Sequence, residues 1–560
     1  PYGQVHYPFE NKDLIDKQEY MADFICEGID QTRGWFYTLM VLSTALFDKP
    51  AFKNVICCGL ILAEDGKKLS KRYGNFIDPV NVCDRYGADA LRMYLIGSPA
   101  AHAEAFKFDY KKIKKEDGNG NEIEDFECNT IKDINARYFQ WLNALKFLIE
   151  HVTKFQKDGF TFEIEAYKQS NNIMDKWIIS RVGTMLMNIE LAMESYTFYK
   201  IKNELMCFIE DWTNWYIKFN RNRLKGRYCD KPEQNEALST LYYVIMMFTL
   251  IAAPFVPFLT ETMYQKLKIL LQPRDQYDSI HLCEYPRYGD FQNSPEVERS
   301  MKRLQLVAEL IRVLRTKSKS STSAKTPIKN VTVVNSDQQF LDDIKMLERY
   351  LCEEINAMSI TYKTTYGVTT YKLEPNNKEI GTKFRNQANE IKKKLLELQQ
   401  DEIVEYMANK DNGITINVAG KNIVLNDFAF SVLEIHDLKL GENEIGMDKN
   451  QTIVIADFTQ DDEVLELHIM RLFIVSVQKM RKMTLLRPWN VIGIYYHTNN
   501  EIINKVLMKR SNDIKEELLY GISQMENRNV IEKEIKTEET EIYESIVKIT
   551  ITDIAGDFCK

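Results

Sequence analysis

Patterns that would mark a metal centre or a disulfide framework are missing from this sequence. Its ten cysteines include no C-x-x-C pair, and Cys57 and Cys58 are adjacent inside an apolar run. That usage excludes a four-cysteine zinc site and suits buried thiols in a reducing compartment. The seven histidines are scattered and no internal repeat is present. A membrane span is excluded too. Residues 241–259 form a run of 19 without a charge, close to bilayer length, but Pro254 and Pro257 end any helix near Ala253 and leave the length of a buried bundle helix. No one-sided Lys/Arg flank would orient it. The chain opens at Pro1, so no targeting signal is readable at that end.

What is present describes an ordinary globular protein, 44% apolar and 28% charged. At 560 residues it exceeds what one core serves, so three or four domains are expected. A net charge of -8 would argue against a nucleic-acid partner only if charge were spread evenly. The first hundred residues alternate short apolar runs with helical patterns, the signature of parallel strands joined by crossover helices. Strands are expected near 20–26 and 54–63. Between them, 33–47 is apolar on nearly all sides and reads as a helix of a large protein's interior. Asp78-Pro79 supplies a helix cap and first-turn proline, Gly87 a stop, and a second helix is expected over 89–96. Residues 111–121, KKIKKEDGNGN, read as an exposed insertion or linker. From about 131 to 315 a 3.6-residue periodicity predicts a helical bundle, with breaks at Gly159, 226–232 and 273–295. The flexible KSKSSTSAK then opens mixed α and β structure, with strands at 331–334, 414–418, 453–456, 491–496 and 546–551 and a helix over 464–483.

Two loops carry the candidate chemistry. In a parallel sheet, ligands sit beyond the carboxyl ends of strands, so the loops after the two strands should open toward one crevice. The first, Glu27-Gly28-Ile29-Asp30-Gln31, puts two carboxylates and an amide before a helix N-terminus, which suits ribose hydroxyls and a substrate ammonium. Capping by Asp30 is the plainer alternative. The second, EDGKKLSKR over 64–72, makes a tight turn at Asp65-Gly66 and clusters four cations around Ser70. Such lysines neutralise a triphosphate and stabilise an α-phosphoryl group as pyrophosphate departs, while a solvated basic turn is the alternative.

Charge is uneven in two further places. Residues 214–227 carry Lys218, Arg221, Arg223, Lys225 and Arg227 with no acidic residue. Helical spacing puts Trp215 and Phe219 on one stripe with basic shoulders, an arrangement that offers cations to a phosphate backbone and rings to unstacked bases. Between Glu296 and Asn330, nine Lys/Arg outnumber three Glu, a local excess of the kind nucleic acid selects.

KKLSKR, followed by YGNFIDP and GADALRMYLIG, resembles the Lys-Met-Ser-Lys-Ser region of class I aminoacyl-tRNA synthetases. Leu69 stands for the family's Met and Arg72 for its final Ser. EGIDQTRGWFYTLM is similar to the isoleucyl branch, which carries Asp-Gln-x-Arg-Gly-Trp-Phe here. The resemblance extends through PYGQVHYPFEN, NIMDKWIISR, NWYIKFNRNRLKG, APFVPFLTE, the Arg-Val-Leu-Arg helix leading to Lys-Thr-Pro-Ile-Lys, and QKMRKMTLLRP, the last in the eukaryotic cytosolic pattern. The family's His-x-Gly-His signature and its editing insertion are not found in these residues.

The resemblance implies the α/β C-terminal half of a Rossmann-type parallel-sheet catalytic domain, an all-α anticodon-binding bundle, and α+β C-terminal domains. It suggests divisions at 1–110, 111–170, 171–325, 326–435 and 436–560. It implies catalytic roles for Lys68, Ser70 and Lys71, adenylate contacts from Glu27, Gly28, Asp30 and Gln31, packing of Trp35 on the amino-acid side chain, and adenine contacts from Gly59 and Leu60. tRNA contacts are implied at Trp215, Lys218, Arg221, Arg223 and Lys225. The implied substrates and partners are ATP with Mg2+, L-isoleucine and tRNA(Ile), in the cytoplasm, with no zinc and no membrane, and with other synthetases as candidates for assembly. Two alternatives stand beside this reading: an RNA-binding module without catalysis, since a fragment with half a catalytic domain is expected to be inactive alone, and a valyl-type enzyme.

Overall fold

The structure is a computed structural model that describes residues 6–17, 21–63, 66–69, 78–116, 122–291, 293–318, 324–365, 369–409, 413–418, 420–436, 440–449, 451–484, 486, 490–528 and 532–554. It divides into two compact units, Pro1–Glu298 and Arg299–Lys560.

In the first unit, β1 (Phe24–Gly28) pairs in parallel with β2 (Asn54–Cys58) across the crossover helix α1 (Trp35–Phe47). The expected β-α-β unit is therefore present, though Tyr20 lies outside the described residues. The strand expected over 54–63 is interrupted at Gly59, whose amide donates to the Ala100 carbonyl at 2.8 Å. A second parallel pair follows, β3 (Ile61–Leu62) with β4 (Phe106–Lys107).

Helix α1 departs from expectation. It buries Phe36 and Ser43 alone, while Trp35, Tyr37 and Leu46 are 47%, 60% and 66% exposed. Two-stranded sheets offer too little apolar surface to cover a helix that is hydrophobic all round. Helix α2 (Pro79–Tyr86) begins as expected, with the Asp78 side chain accepting from the Val80 amide at 2.9 Å. It stops at Gly87, whose φ of 88° only glycine adopts without strain. Helix α3 (Ala88–Ile96) follows.

The 111–121 stretch is not a plain linker, because its first part forms an antiparallel hairpin between β5 (Lys111–Glu116) and β6 (Glu122–Glu127). Lysines on one strand meet carboxylates on the other, as in Lys114–Glu122 at 2.8 Å. Opposite charges facing across a ladder favour pairing.

The bundle comprises α4 (Asn129–Lys157), α5 (Ile173–Glu194), α6 (Ile201–Glu210), α7 (Lys231–Ala252) and α8 (Pro257–Leu267). Its interior is aromatic: Trp141 meets Phe248 edge-on at 4.7 Å, and Trp212 lies 5.6 Å from the same ring. Burying each such ring contributes about 1.5–3 kcal/mol. Helix α7 is long and apolar enough to cross a membrane, but 78% of its apolar window is buried within this structure. It ends at Ala252, where the two prolines require, and begins ten residues before the apolar run.

Among the described residues, the second unit holds two four-stranded and two two-stranded sheets. Strands Glu444–Lys449, Thr452–Asp457, Asn330–Val334 and Ile360–Lys363 form one sheet in that order, the last two parallel and joined through helices Gln338–Met346 and Glu348–Ile355. A middle cluster packs Ile391, Leu395, Tyr406, Val418 and Phe430. The last sheet orders Ile522–Gln524, Ile492–His497, Ser545–Asp553 and Lys533–Ile542, and helix Asp462–Met483 covers it through Phe473 and Val477.

Candidate nucleotide and nucleic-acid sites

The parallel register of β1 and β2 sets Glu27 opposite Cys57 and Gly28 opposite Cys58. The acidic loop and the Gly59-Leu60 segment therefore leave the same strand edge, where a parallel sheet receives its ligands. Glu27 and Asp30 are exposed there, and a 3-10 turn, Ile29–Arg33, carries Asp30 and Gln31 to the start of α1.

Gln31, and not Asp30, caps α1: its Oε1 accepts from the Trp35 amide at 2.9 Å. Its Nε2 reaches toward Asp30 Oδ2 at 3.5 Å. Gln31 thus orders the two residues that flank it in the site, and its carbonyl oxygen already has a donor. Trp35 is half exposed and is not a core tryptophan.

Of the basic loop, residues 66–69 run back beside β3. Leu62 bridges antiparallel to Lys68, the Ala63 amide donates to the Lys67 carbonyl at 2.8 Å, and Gly66 takes a φ of 79°. This displays Lys67 and Lys68 at the surface beyond β3. Ser70 and Lys71 lie outside the described residues.

Gly59 is fixed by contact and not by φ. A Cβ there would sit 1.9 Å from the Glu104 carbonyl oxygen, so only glycine lets the two backbones approach. Beside it, the Cys26 and Cys58 sulfurs lie 3.7 Å apart. Burial, followed by the contact with Cys58, raises the Cys26 thiol to about 11. At that value it is protonated at neutral pH.

The basic stretch of the bundle is not the single α-helix its spacing suggests. A π turn, Asp211–Tyr216, leads into the short helices Ile217–Phe219 and Arg221–Leu224. The wider turn directs Trp212, Trp215, Tyr216 and Phe219 inward, so Trp215, only 7% exposed, meets Phe219 edge-on at 5.8 Å within the protein.

Arg223 also turns inward. Its Nη1 and Nη2 donate to the fully buried Asp175 carboxylate at 3.2 and 3.1 Å, and its Nε to Glu233 at 2.8 Å. Burial alone would lower its pKa, but the Asp175 charge beside it holds it above the ordinary arginine value. Asp175 further accepts from the Ser170 hydroxyl at 2.6 Å and the Tyr216 hydroxyl at 2.7 Å, so every partner is internal. Lys218 and Arg221 are exposed and Lys225 half-buried.

The second basic segment is likewise occupied within its own unit. Arg299 and Arg303 share Asp343, Arg312 meets Glu354 at 2.5 Å, and Arg315 donates to the carbonyls of Thr326 and Ile355. Nothing in the sequence marked Asp175 or Asp343 as partners, because each sits some 40 or more residues from its arginines.

Residues 1–107 match the family model of class I tRNA synthetases for isoleucine, leucine, methionine and valine, and 175–332 match the anticodon-binding domain of tRNA ligases. Over these two stretches the chain is similar to class I tRNA synthetases. Among its relatives, a probable cytoplasmic isoleucine-tRNA ligase of Dictyostelium discoideum is 35% identical over 528 residues, which cover 93% of this chain and 47% of that protein. The cytoplasmic isoleucine-tRNA ligase of Mus musculus is 37% identical over 514 residues, 90% of this chain and 38% of that protein. The chain spans about half the length of the curated relatives it matches. A Mycobacterium tuberculosis methionyl-tRNA synthetase in complex with methionyl-adenylate aligns over 51% of this chain and 54% of its own, at 16% identity and a TM-score of 0.36.

Proposed function

We propose that the protein acts in the cytoplasm as an isoleucine-tRNA ligase, forming isoleucyl-adenylate from L-isoleucine and ATP and passing the isoleucyl group to tRNA(Ile). The observation that carries the reading is the shared strand edge, from which the Glu27 loop and the Gly59-Leu60 segment both depart, with Lys68 displayed beyond β3. Relatives named isoleucine-tRNA ligases at about one-third identity support the choice of amino acid.

In this reading Glu27, Gly28 and Asp30 hold the ribose and the substrate ammonium, and Gly59 and Leu60 border the adenine. Trp35 covers the isoleucine side chain, while Gln31 positions Asp30 and Trp35. The isoleucine carboxylate attacks the α-phosphorus, the bond to the β-phosphate oxygen breaks, and pyrophosphate leaves. Lys68, with Ser70 and Lys71, stabilises the charge that develops on the phosphoryl oxygens. Bound with the nucleotide, Mg2+ supplies further neutralisation at the pyrophosphate; residues 67–72 contain no carboxylate to ligate it. The terminal ribose hydroxyl of the tRNA then attacks the acyl carbonyl and releases AMP.

The division of labour we propose is nucleotide chemistry in 1–110 and RNA contact in 171–325, through Lys218, Arg221 and Lys225. Trp215 and Arg223 serve the bundle interior. The test is aminoacylation of tRNA(Ile) by the full-length protein with isoleucine or valine, alongside salt-dependent gel shifts. Preference for isoleucine with salt-sensitive binding is expected. Preference for valine makes it a valyl-type enzyme, and binding without any acylation makes it an RNA-binding module.

A further inference from the structure

Helix α3 packs against the bundle and holds it at two points of opposite charge. Asp89, 7% exposed, points its carboxylate at the first turn of α8: Oδ2 accepts from the Leu259 amide at 2.7 Å and Oδ1 from the Phe258 amide at 3.5 Å. The residue at the N-cap of α8, Val256, supplies no side-chain cap. Amides of a first helical turn have no partner within their own helix, so Asp89 caps α8 from another element.

One turn further along α3, Arg92 donates Nε to the Phe255 carbonyl and Nη2 to the Pro254 carbonyl, both at 3.3 Å. Pro254 and Pro257 lack N–H groups, so the turn between α7 and α8 is rich in carbonyls without local donors. A carboxylate thus meets the positive end of α8, and a guanidinium meets the negative side where α7 has ended. At the far end of α3, the Lys202 side chain lies over Gly97, with its Cδ 2.1 Å from where a Cβ would stand. A cleft of about 390 Å3 opens beside the junction, lined in part by Tyr138, Phe139 and Phe258.

We propose that Asp89 and Arg92 are positioning residues for the transfer step, keying α3 to the α7–α8 turn so that RNA held on the bundle delivers its end to the nucleotide loops. The proposal rests on the synthetase reading. Neither residue is among those assigned to substrate, and adenylate formation does not pass through the junction. Transfer does, because a misplacement of about 1 Å between reacting groups costs on the order of a hundredfold in rate.

The test uses full-length protein with Asp89→Ala, Asp89→Asn and Arg92→Met. Three rates are compared: isoleucine-dependent ATP-pyrophosphate exchange, single-turnover transfer from preformed adenylate to tRNA(Ile), and hydrogen exchange of a peptide covering residues 254–262. In Asp89→Ala and Arg92→Met, exchange is expected to stay within about twofold while transfer falls by about tenfold or more. The 254–262 amides lose protection in Asp89→Ala, and Asp89→Asn, which keeps one acceptor, recovers part of both transfer and protection. Unchanged transfer in the variants overturns the proposal, and so does a parallel fall of exchange and transfer, which would mark a role in fold integrity alone. A parent without isoleucine-dependent exchange overturns the synthetase reading and takes this one with it, while altered hydrogen exchange in the same samples would still report the contact itself.

Discussion

Arg223 offers the sharpest contrast between a cation that serves RNA and one that serves the fold. Replacing it with Met keeps much of its bulk but leaves the Asp175 carboxylate, wholly buried, facing only the Ser170 and Tyr216 hydroxyls. Removing one partner of a buried ion pair costs about 3–5 kcal/mol. At about 2–4 °C per kcal/mol for a unit of this size, the melting midpoint falls on the order of 10 °C. Tryptophan emission reads the right transition, because Trp141, Trp177, Trp212 and Trp215 all lie in the bundle. The double variant Asp175→Asn with Arg223→Met regains most of the loss, since removing both charges leaves none unpaired. Arg221→Ala, an exposed change, shifts the midpoint by less than about 0.5 kcal/mol of stability. The same variant lowers the salt slope of tRNA binding by about one. If Arg223→Met melts with the parent while its tRNA salt slope drops, the buried pair is refuted and Arg223 faces RNA.

Other expectations follow from single contacts. Gly59→Ala forces a Cβ onto the Glu104 carbonyl, which costs roughly 1–3 kcal/mol of overpacking and weakens ATP binding, measurable as a raised KM for ATP in exchange. Gly87→Ala meets no atom within 4 Å, so it costs only the strain of its positive φ, about 1 kcal/mol, in the same melt. In the second unit, hydrogen bonding from Lys509, then from Arg510, holds the Glu466 carboxyl below its ordinary value of 4.5. A carboxyl that titrates lower when folded contributes stability in full above about pH 4.5 and loses it as pH falls through the folded value. Glu466→Gln therefore destabilises by about 1–2 kcal/mol at pH 7 and by progressively less as pH falls through the folded value, read by urea titration across that range.

The elements that sequence made legible are those whose signals are local. Asp78-Pro79 and Gly87 bound α2 because capping and proline geometry act within three residues. Ile414–Val418 alternates apolar and polar side chains in a strand that buries one face. What escaped depends on partners far along the chain. The hairpin of β5 and β6 looks like a charged linker until its lysines meet the carboxylates of the facing strand. Strand Lys533–Ile542 is mostly polar and is held by the apolar Ser545–Asp553 beside it. The π turn at 211–216 rotates every residue after it, so helical spacing assigned Arg223 to a surface that it does not reach. At the C-terminal edge of β1 and β2 the strand ends were readable, whereas Gln31 as the cap of α1 required the coordinates.

The central claim is that the carboxylate loop after β1 and the lysine loop after β3 act on one nucleotide. Isoleucine-dependent ATP-pyrophosphate exchange in full-length protein carrying Glu27→Ala, Lys68→Ala or both tests it most directly. Each single change is expected to lower exchange, Lys68→Ala by on the order of a hundredfold, with the double variant little worse than the poorer single one because both act on the same transition state. Full exchange in Lys68→Ala, or strictly multiplicative losses in the double variant, would contradict the account.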